Sequence, residues 1–226
     1  SLKGAYESIK EVIHTIPEKP FTTPYRTNYY SPKSMKICLP YYLISNCKGK
    51  DKIEINVETN NYKSDLQIKE AFIKGKSKKE ILITTYNCHP GLANDNFSGL
   101  IGICDLYTRI SEKKDRHYSY RFAIFPETIG AICYIKYLSN NNIIDNILSN
   151  IVLTCLGGAK NNSSFKRSKI DSPYCKAFES KLVKDIPSLV LKEYSPDGSD
   201  ERQFCSPNVG IPSMSLCRNR YYEYSE

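Results

Sequence analysis

The feature that most constrains the fold is an alternation, from residue 80 onward, of short apolar segments with helical ones. Glu80–Tyr86 (EILITTY) is a largely apolar, β-branched run of the type that forms a buried strand in a parallel sheet. Further strands are predicted at Tyr120–Phe125, Ile151–Leu156, Ser188–Lys192 and Ile211–Cys217, with helices at Ser98–Glu112, Thr128–Leu138 and Ser172–Val183. This alternation predicts an α/β fold with a mostly parallel central sheet and helices on both faces.

The first third of the chain has a different pattern. Apolar residues at helical spacing predict a helix over residues 5–14, and residues 21–35 have the composition of an extended connector. Short β-type runs follow at Ile37–Ile44, Ile53–Val57 and Leu66–Ile73. These runs carry too little apolar surface for an independent domain. We therefore predict a small β-rich inserted element at residues 37–75, within a main domain formed by residues 1–36 and 76–226.

Charge and cysteine content exclude several classes of protein. The net charge of +8 is dispersed along the chain, which argues against a nucleic-acid partner. The nine cysteines are irregularly spaced, and several lie inside apolar runs, which is typical of reduced thiols in a reducing compartment. No apolar stretch approaches the roughly 18–20 residues that span a bilayer, and the first ten residues lack a signal-peptide pattern. These features predict a cytoplasmic protein with no membrane partner.

Four polar residues follow or flank the predicted strands. His89 comes shortly after the first strand, Asp95 opens the next helix, Glu127 follows the second strand, and Asp200 precedes a late helix or turn. Each acid alone has a simpler explanation as a helix cap or first-turn residue. However, the carboxyl ends of parallel strands meet at one edge of the sheet, where sites gather. One imidazole with three carboxylates suits zinc better than magnesium or calcium, so a zinc site is predicted there.

Three longer segments around these residues resemble a known family. They are Cys88–Asn96 (CHPGLANDN), Pro126–Gly130 (PETIG) and Gly198–Pro207 (GSDERQFCSP). Within this region, Ala93–Gly99 (ANDNFSG) resembles the zinc-bridging Asp motif of the co-catalytic zinc aminopeptidases, a superfamily that includes glutaminyl cyclases and non-catalytic relatives such as the transferrin receptor. The resemblance covers residues 20–226 and is strongest to an uncharacterised bacterial branch. Members of that branch have an aminopeptidase-like domain, a small inserted β domain and often a winged helix, and some are encoded with surface-polysaccharide genes.

The resemblance implies a role for each of the four residues. His89 would be a ligand of one zinc, and Asp95 would bridge two zincs or hold one. Glu127 would be either the catalytic base or a ligand. Asp200 would lie beside the metal as a ligand or a hydrogen-bonding acid. Either Glu127 or Asp200 would act as the catalytic carboxylate that takes the proton of the water and passes it to the leaving amine. The implied protein is a zinc-dependent hydrolase with one or two zinc ions, which cleaves a peptide or an amide-containing small molecule by metal-activated water.

The sequence departs from the aminopeptidase pattern at three positions. The acid expected two residues after the first His is Gly91, and the strand-end Asp ligand corresponds to Thr154. A further His ligand expected near the C-terminus has no counterpart in Arg220–Glu226. These departures favour an alternative function: a catalytically inactive aminopeptidase-like domain that binds a ligand or partner in surface-polysaccharide biosynthesis.

Overall fold

The computed structural model describes residues 1–24, 36–58, 60, 62–89, 91–157 and 163–218. It divides into two compact units, a small one up to Ser64 and a large one from Asp65. Within the described ranges, no helix is both long and apolar enough to cross a bilayer.

The small unit contains two short strand pairs. Strand β1 (Leu2–Ala5) pairs antiparallel with β4 (Lys52–Ile55), and β2 (Ile13–His14) pairs in parallel with β3 (Ile37–Cys38). The one-turn helix α1 (Tyr6–Ile9) is followed by a 3-10 turn that ends at Val12. The predicted helix over residues 5–14 is therefore wrong in extent, because both ends of that segment pair as strands. Helical spacing of apolar residues does not exclude such pairing with a distant segment.

The large unit is built on a seven-stranded sheet. Its strands are β5 (Lys69–Ile73), β6 (Glu80–Tyr86), β7 (Ser119–Phe125), β8 (Ile147–Leu153), β9 (Ser163–Lys166), β10 (Val190–Lys192) and β11 (Ser213–Arg218), in the order β10-β9-β11-β8-β6-β7-β5. Its helices are α2 (Ser98–Glu112), α3 (Ile129–Asn140), α4 (Pro173–Asp185) and α5 (Glu201–Phe204). The β5–β7 and β9–β11 pairs are antiparallel and the other four pairs are parallel. The predicted α/β fold with a mostly parallel sheet is confirmed.

Apolar side chains cover both faces of this sheet. Neighbouring residues such as Leu82 and Ile83 belong to different buried clusters, because successive side chains of a strand point to opposite faces. One cluster includes residues of α2 and α4, and the other includes residues of α3 and Phe204 of α5. The helices therefore lie on both faces, as the alternation of strands and helices predicts.

Two strands of the large unit differ from the sequence prediction. The run at Leu66–Ile73 was predicted within the inserted element, whereas its strand β5 is the edge strand of the main sheet beside β7. A half-exposed edge strand has the same alternating pattern as a strand of a small appendage, so the sequence does not distinguish them. Strand β9 was not predicted, because Ser163–Lys166 is short and mostly polar and pairs only with distant strands.

A buried ion network joins the strands β5, β6 and β7. Arg121 donates from Nε to Oε2 of Glu80 at 2.6 Å and from Nη1 to Oε1 of Glu70 at 2.6 Å. The side chains of Arg121 and Glu80 are both buried. A buried carboxylate that loses its only charged partner is strongly destabilising. The network therefore stabilises the strands that lead to the candidate site.

We expect Arg121→Met to lower the free energy of unfolding by about 3–5 kcal/mol, since it leaves Glu80 buried without its counter-ion. Urea unfolding would measure the change. The matched control is Arg109→Met, which removes the exposed Arg109–Asp105 pair on α2 and should cost less than about 1 kcal/mol. Equal effects of the two substitutions would contradict a stabilising role for the buried network.

Candidate metal centre

The parallel pairing of β6 and β7 aligns the two loops that carry the predicted site residues. Tyr86 and Phe125, the last residues of the two strands, are paired directly. The Asn87 amide then donates to the carbonyl of Phe125 at 3.2 Å, so the chains leave the sheet at the same level. His89 follows Tyr86 by three residues and Glu127 follows Phe125 by two. The register therefore brings the His89 and Glu127 side chains to one edge.

Three donor groups meet at this edge. Cys88, His89 and Glu127 each offer one ligand atom, and these three atoms lie within 4.8 Å of one another. The Cys88 sulfur lies 3.3 Å from Nδ1 of His89, and the Glu127 amide donates to that sulfur at 3.2 Å. Donors of a tetrahedral zinc are separated by about 3.6 Å, and zinc accepts sulfur, nitrogen and carboxylate oxygen. The three residues therefore fit a zinc ion in both spacing and donor type.

Asp95 lies beside this group and is oriented by Tyr86. The Tyr86 hydroxyl donates to Oδ1 of Asp95 at 2.5 Å, and the Tyr86 ring lies edge-on to the His89 ring at 5.3 Å between centroids. Burial raises the pKa of the Tyr86 hydroxyl well above its usual value, so the phenol stays protonated and acts as a donor. Thr154, which replaces the expected strand-end Asp, has its hydroxyl 2.7 Å from the Tyr86 hydroxyl. At this strand end, the neutral hydroxyls of Tyr86 and Thr154 therefore stand where an acidic ligand was expected.

The segment that carries Asp95 is irregular and anchored by its neighbours. Ala93–Phe97 forms a turn before α2 in which Asp95 and Asn96 have non-helical dihedral angles. The buried Asn96 amide donates to the Thr85 hydroxyl at 2.8 Å, and its oxygen accepts from the Cys155 amide at 3.0 Å. The Asn94 side chain accepts from the Gly157 amide at 2.8 Å. These bonds fix the loop between two strand ends and so fix the position of Asp95.

Asp200 contacts the second loop of the site. Its Oδ1 accepts from the Thr128 amide at 2.8 Å, and the hydroxyl of its neighbour Ser199 donates to Oε1 of Glu127 at 2.9 Å. Asp200 is fully buried, and its Oδ2 has no hydrogen-bond partner within the described part of the chain. Burial raises the pKa of Asp200 to about 7, and the charge of Glu127 adds to that rise. Burial likewise raises the pKa of Glu127, against the opposing effects of Ser199 and His89.

A buried ion pair holds the segment in which Asp200 lies. Nζ of Lys166 lies 2.6 Å from Oε1 of Glu201, the first residue of α5, and Glu201 is fully buried. The same ammonium group donates to the carbonyls of Ser195 and Asp197. Gly198 passes so close that a Cβ there would lie 2.5 Å from the Lys166 nitrogen. Strand β9, which carries Lys166, therefore supports the loop that delivers Ser199 and Asp200.

A cavity of about 320 Å³ lies beside His89. Its apolar lining comes from Leu92, Ala93, Phe97 and Leu100. Asn87, Asn96 and His89 also line it and supply polar groups. A largely apolar cavity with a few polar groups is typical of a site for a small molecule or side chain.

The four predicted site residues thus lie in one region, but only two of them belong to the cluster of possible metal ligands. His89 and Glu127 share the cluster of possible ligands, whereas Asp95 and Asp200 contact its neighbours Tyr86 and Thr128. Their individual roles stay predictions. Residues 219–226, near which the resemblance places a further His, lie outside the described ranges.

The sequence prediction missed several residues of this region. Cys88, Tyr86, Ser199 and Lys166 all make contacts described above and were not predicted as site residues. Cys88 adjoins His89 in the same strand-end loop, and that adjacency was the one signal available. The roles of the other three depend on contacts with residues distant in the sequence.

Comparison with known proteins identifies a family and similar proteins. The model of a family described as a domain of unknown function (DUF4910) matches residues 10–226. A Clostridium acetobutylicum protein, provisionally named as a polysaccharide biosynthesis protein with an aminopeptidase-like domain, is 35% identical over 218 residues, or 95% of this chain and 48% of that protein. A crystal structure of a provisionally assigned peptidase from the same organism is 33% identical with a TM-score of 0.86, covering 97% of this chain and 51% of that one.

More distant structures share the fold. A zinc aminopeptidase from Bacillus subtilis has a TM-score of 0.55 at 19% identity, covering 70% of this chain and 41% of its own. A glutaminyl cyclase from an Acidobacteriales bacterium has a TM-score of 0.56 at 13% identity, covering 67% and 58%. The resemblance to aminopeptidases and glutaminyl cyclases is confirmed, and the large unit is peptidase-like. The chain spans about half the length of the curated relative it matches.

Two glycines of α2 test how tightly the Asp95 loop is held. A Cβ on Gly99 would lie within 2.6 Å of side-chain atoms of Asn96 and Thr85 that are hydrogen-bonded to each other. A Cβ on Gly102 would lie 2.7 Å from the methyl end of Leu156 and 3.9 Å from that of Leu153, which can move aside more easily. Gly→Ala in a helix gains roughly 0.5–1 kcal/mol, and overpacking costs about 1–3 kcal/mol. We therefore expect Gly99→Ala to lower the unfolding free energy and Gly102→Ala to leave it unchanged or raise it, as measured by urea unfolding. An increase in unfolding free energy for Gly99→Ala would show that the Asp95 loop can move to accept the methyl group, and so is not tightly held.

Proposed function

Because the chain belongs to the DUF4910 family and its large unit has a peptidase-like fold, we propose that it is a zinc-dependent hydrolase of the aminopeptidase type. It cleaves a peptide or amide bond with metal-activated water. The observation that carries this proposal is the approach of Cys88, His89 and Glu127 within 4.8 Å at the carboxyl edge of the parallel sheet. That edge is where α/β proteins bind their ligands.

In this proposal His89 and Glu127 hold the zinc. Asp95, whose Oδ1 accepts from Tyr86, would supply a further carboxylate oxygen, as the resemblance implies. When bound, zinc activates a water molecule and polarises the carbonyl of the scissile bond. Tyr86 keeps the Asp95 carboxylate in one orientation, as groups behind metal ligands commonly do.

Asp200 is the group that we assign to proton transfer. Its Oδ1 accepts a hydrogen bond from the amide of Thr128, the residue that follows Glu127 in the chain. Its Oδ2 has no hydrogen-bond partner in the described ranges. A fixed carboxylate with one free oxygen is suited to take a proton from water and return it to a leaving amine. Ser199, whose segment is held by the Lys166–Glu201 pair, orients Glu127, and the Thr128 amide orients Asp200.

The substrate is an amide with an apolar group. The cavity beside His89 is lined by Leu92, Phe97 and Leu100, which would receive that group. The name of the Clostridium acetobutylicum relative supports a role in polysaccharide biosynthesis, for which an amide of an amino sugar is a fitting substrate.

A substrate screen tests the assignment of the cavity. We expect leucine and phenylalanine amides to be hydrolysed with kcat/KM at least about tenfold above aspartate and lysine amides, because an apolar wall does not compensate a buried charge. Chromogenic amides measure the rates, and Leu100→Ser should reduce the preference. Faster turnover of the charged amides would contradict the assignment.

A second function has one observation in its favour. Thr154 stands where the resemblance expects an Asp ligand, and it bonds the Tyr86 hydroxyl that holds Asp95. A site with fewer acidic ligands is suited to a domain that binds an amide or a sugar without turnover. In that case zinc would be weak or absent while a ligand still occupied the cavity beside His89.

Zinc content and activity of matched variants separate these functions. We expect one or two zinc ions per chain by elemental analysis of protein purified without chelator. His89→Ala and Asp95→Ala should lose most of that zinc without unfolding, because each removes a metal ligand. Asp200→Asn should keep the zinc and lose at least about 100-fold in kcat, as expected for loss of an acid–base group. His117→Ala, a change at an exposed loop His, is the control and should retain both.

Contradictory outcomes are equally specific. Full zinc occupancy in both His89→Ala and Asp95→Ala would show that the metal is held elsewhere. An intact protein that binds no zinc after it is added back would favour the non-catalytic domain. If Glu127→Gln keeps zinc and abolishes turnover while Asp200→Asn stays active, the base is Glu127.

A further inference from the structure

The Cys88 thiol is in contact with the candidate metal site, although the resemblance assigns it no role. Its sulfur lies 3.3 Å from Nδ1 of His89 and belongs, with Glu127, to the group of donors that lie within 4.8 Å of one another. Cys88 and His89 are adjacent in the chain, yet the loop directs both donor atoms to the same side. If the Cys88 side chain pointed into the core, its sulfur would not contact the ring nitrogen of His89.

The Cys88 sulfur accepts a hydrogen bond from the backbone, whereas in its contact with Nδ1 of His89 either atom can be the donor. The Glu127 amide donates to its sulfur at 3.2 Å. Backbone N–H groups that donate to sulfur are a recurring feature of metal thiolates, where they stabilise the charge on the sulfur. Cys205 shows the contrast, because it is buried and its thiol donates to the carbonyl of Ser213 at 3.5 Å. Cys205 behaves as a thiol of the core, and Cys88 has the surroundings of a ligand.

Spacing also supports coordination. Zinc–sulfur bonds of about 2.3 Å and zinc–nitrogen bonds of about 2.0–2.1 Å place tetrahedral donors about 3.6 Å apart. The observed 3.3 Å between the Cys88 sulfur and the His89 nitrogen is close to that separation. One zinc ion can therefore contact both atoms without a change in the course of the loop.

We infer that Cys88 is a thiolate ligand of the zinc, beside His89 and Glu127. This inference rests on the proposed function, since it names one more residue that holds the same ion. On binding, the S–H proton passes to solvent and the sulfur forms a bond to the metal, with no change of oxidation state. The site thereby gains a sulfur donor that the Gly91 and Thr154 positions do not provide.

Cobalt substitution tests the inference by a readout independent of catalysis. The full chain, stripped of metal and reloaded with Co²⁺, should show a sulfur-to-cobalt charge-transfer band in the near ultraviolet together with visible ligand-field bands. Cys88→Ser and Cys88→Ala should lose the charge-transfer band. Both should also weaken zinc binding by more than about tenfold, since even residues that only support ligands commonly cost 10–100-fold. Cys104→Ser, a change at an exposed cysteine of α2, is the matched control and should keep the band.

Each other outcome has a defined meaning. Visible cobalt bands without charge transfer, or a charge-transfer band that persists in both Cys88 variants, would overturn the inference and leave the proposed zinc site intact. Failure of the intact protein to bind either metal would overturn the zinc proposal together with this inference. Circular dichroism of the Cys88 variants checks that each loss reflects the ligand and not unfolding.

Discussion

The direct pairing of Tyr86 with Phe125 is the contact on which the candidate site depends. It sets the two strand ends level, so that the loops after β6 and β7 carry Cys88, His89 and Glu127 to the same place. A slip of one residue would turn every side chain of one strand to the opposite face. The apolar clusters on both sides of the sheet oppose such a slip, because β6 and β7 each contribute side chains to both clusters. The core therefore fixes the register, and the register fixes the site.

A concentration of acidic groups follows from this arrangement. Asp95, Glu127 and Asp200 are drawn together, and each accepts one hydrogen bond from a neutral donor: Tyr86, Ser199 and the Thr128 amide respectively. Those bonds orient the carboxylates without neutralising them, and burial together with mutual repulsion raises the pKa of Glu127 and Asp200. A divalent cation would offset the repulsion, since a bound ion is often the largest charge in such a site. Fold and electrostatics thus both favour a metal at this edge.

The sequence predicted the parts of the fold that have strong local signals. The β-branched run of β6 and the helix α2 have the bounds that their patterns predict, because long apolar or amphipathic segments specify both type and extent. Strand β5 was predicted as a strand but placed in the inserted element, because the pattern of a half-exposed edge strand does not identify its partner. Strand β9 was missed, because a short, mostly polar strand forms only beside its partners. His89 and Glu127 could be predicted as candidate site residues, because each is a metal-binding side chain shortly after a predicted strand. The contacts of Tyr86 and Lys166 are made with residues distant in the sequence, so no local sequence pattern predicts them.

Anomalous diffraction at the zinc absorption edge, from crystals of the full chain grown with zinc, would show directly whether a metal binds at the carboxyl end of β6 and β7. If His89 and Glu127 hold a zinc ion, an anomalous peak is expected within bonding distance of both side chains. A peak located only at other residues, or no peak at this edge when zinc is in excess, would contradict the proposed zinc site.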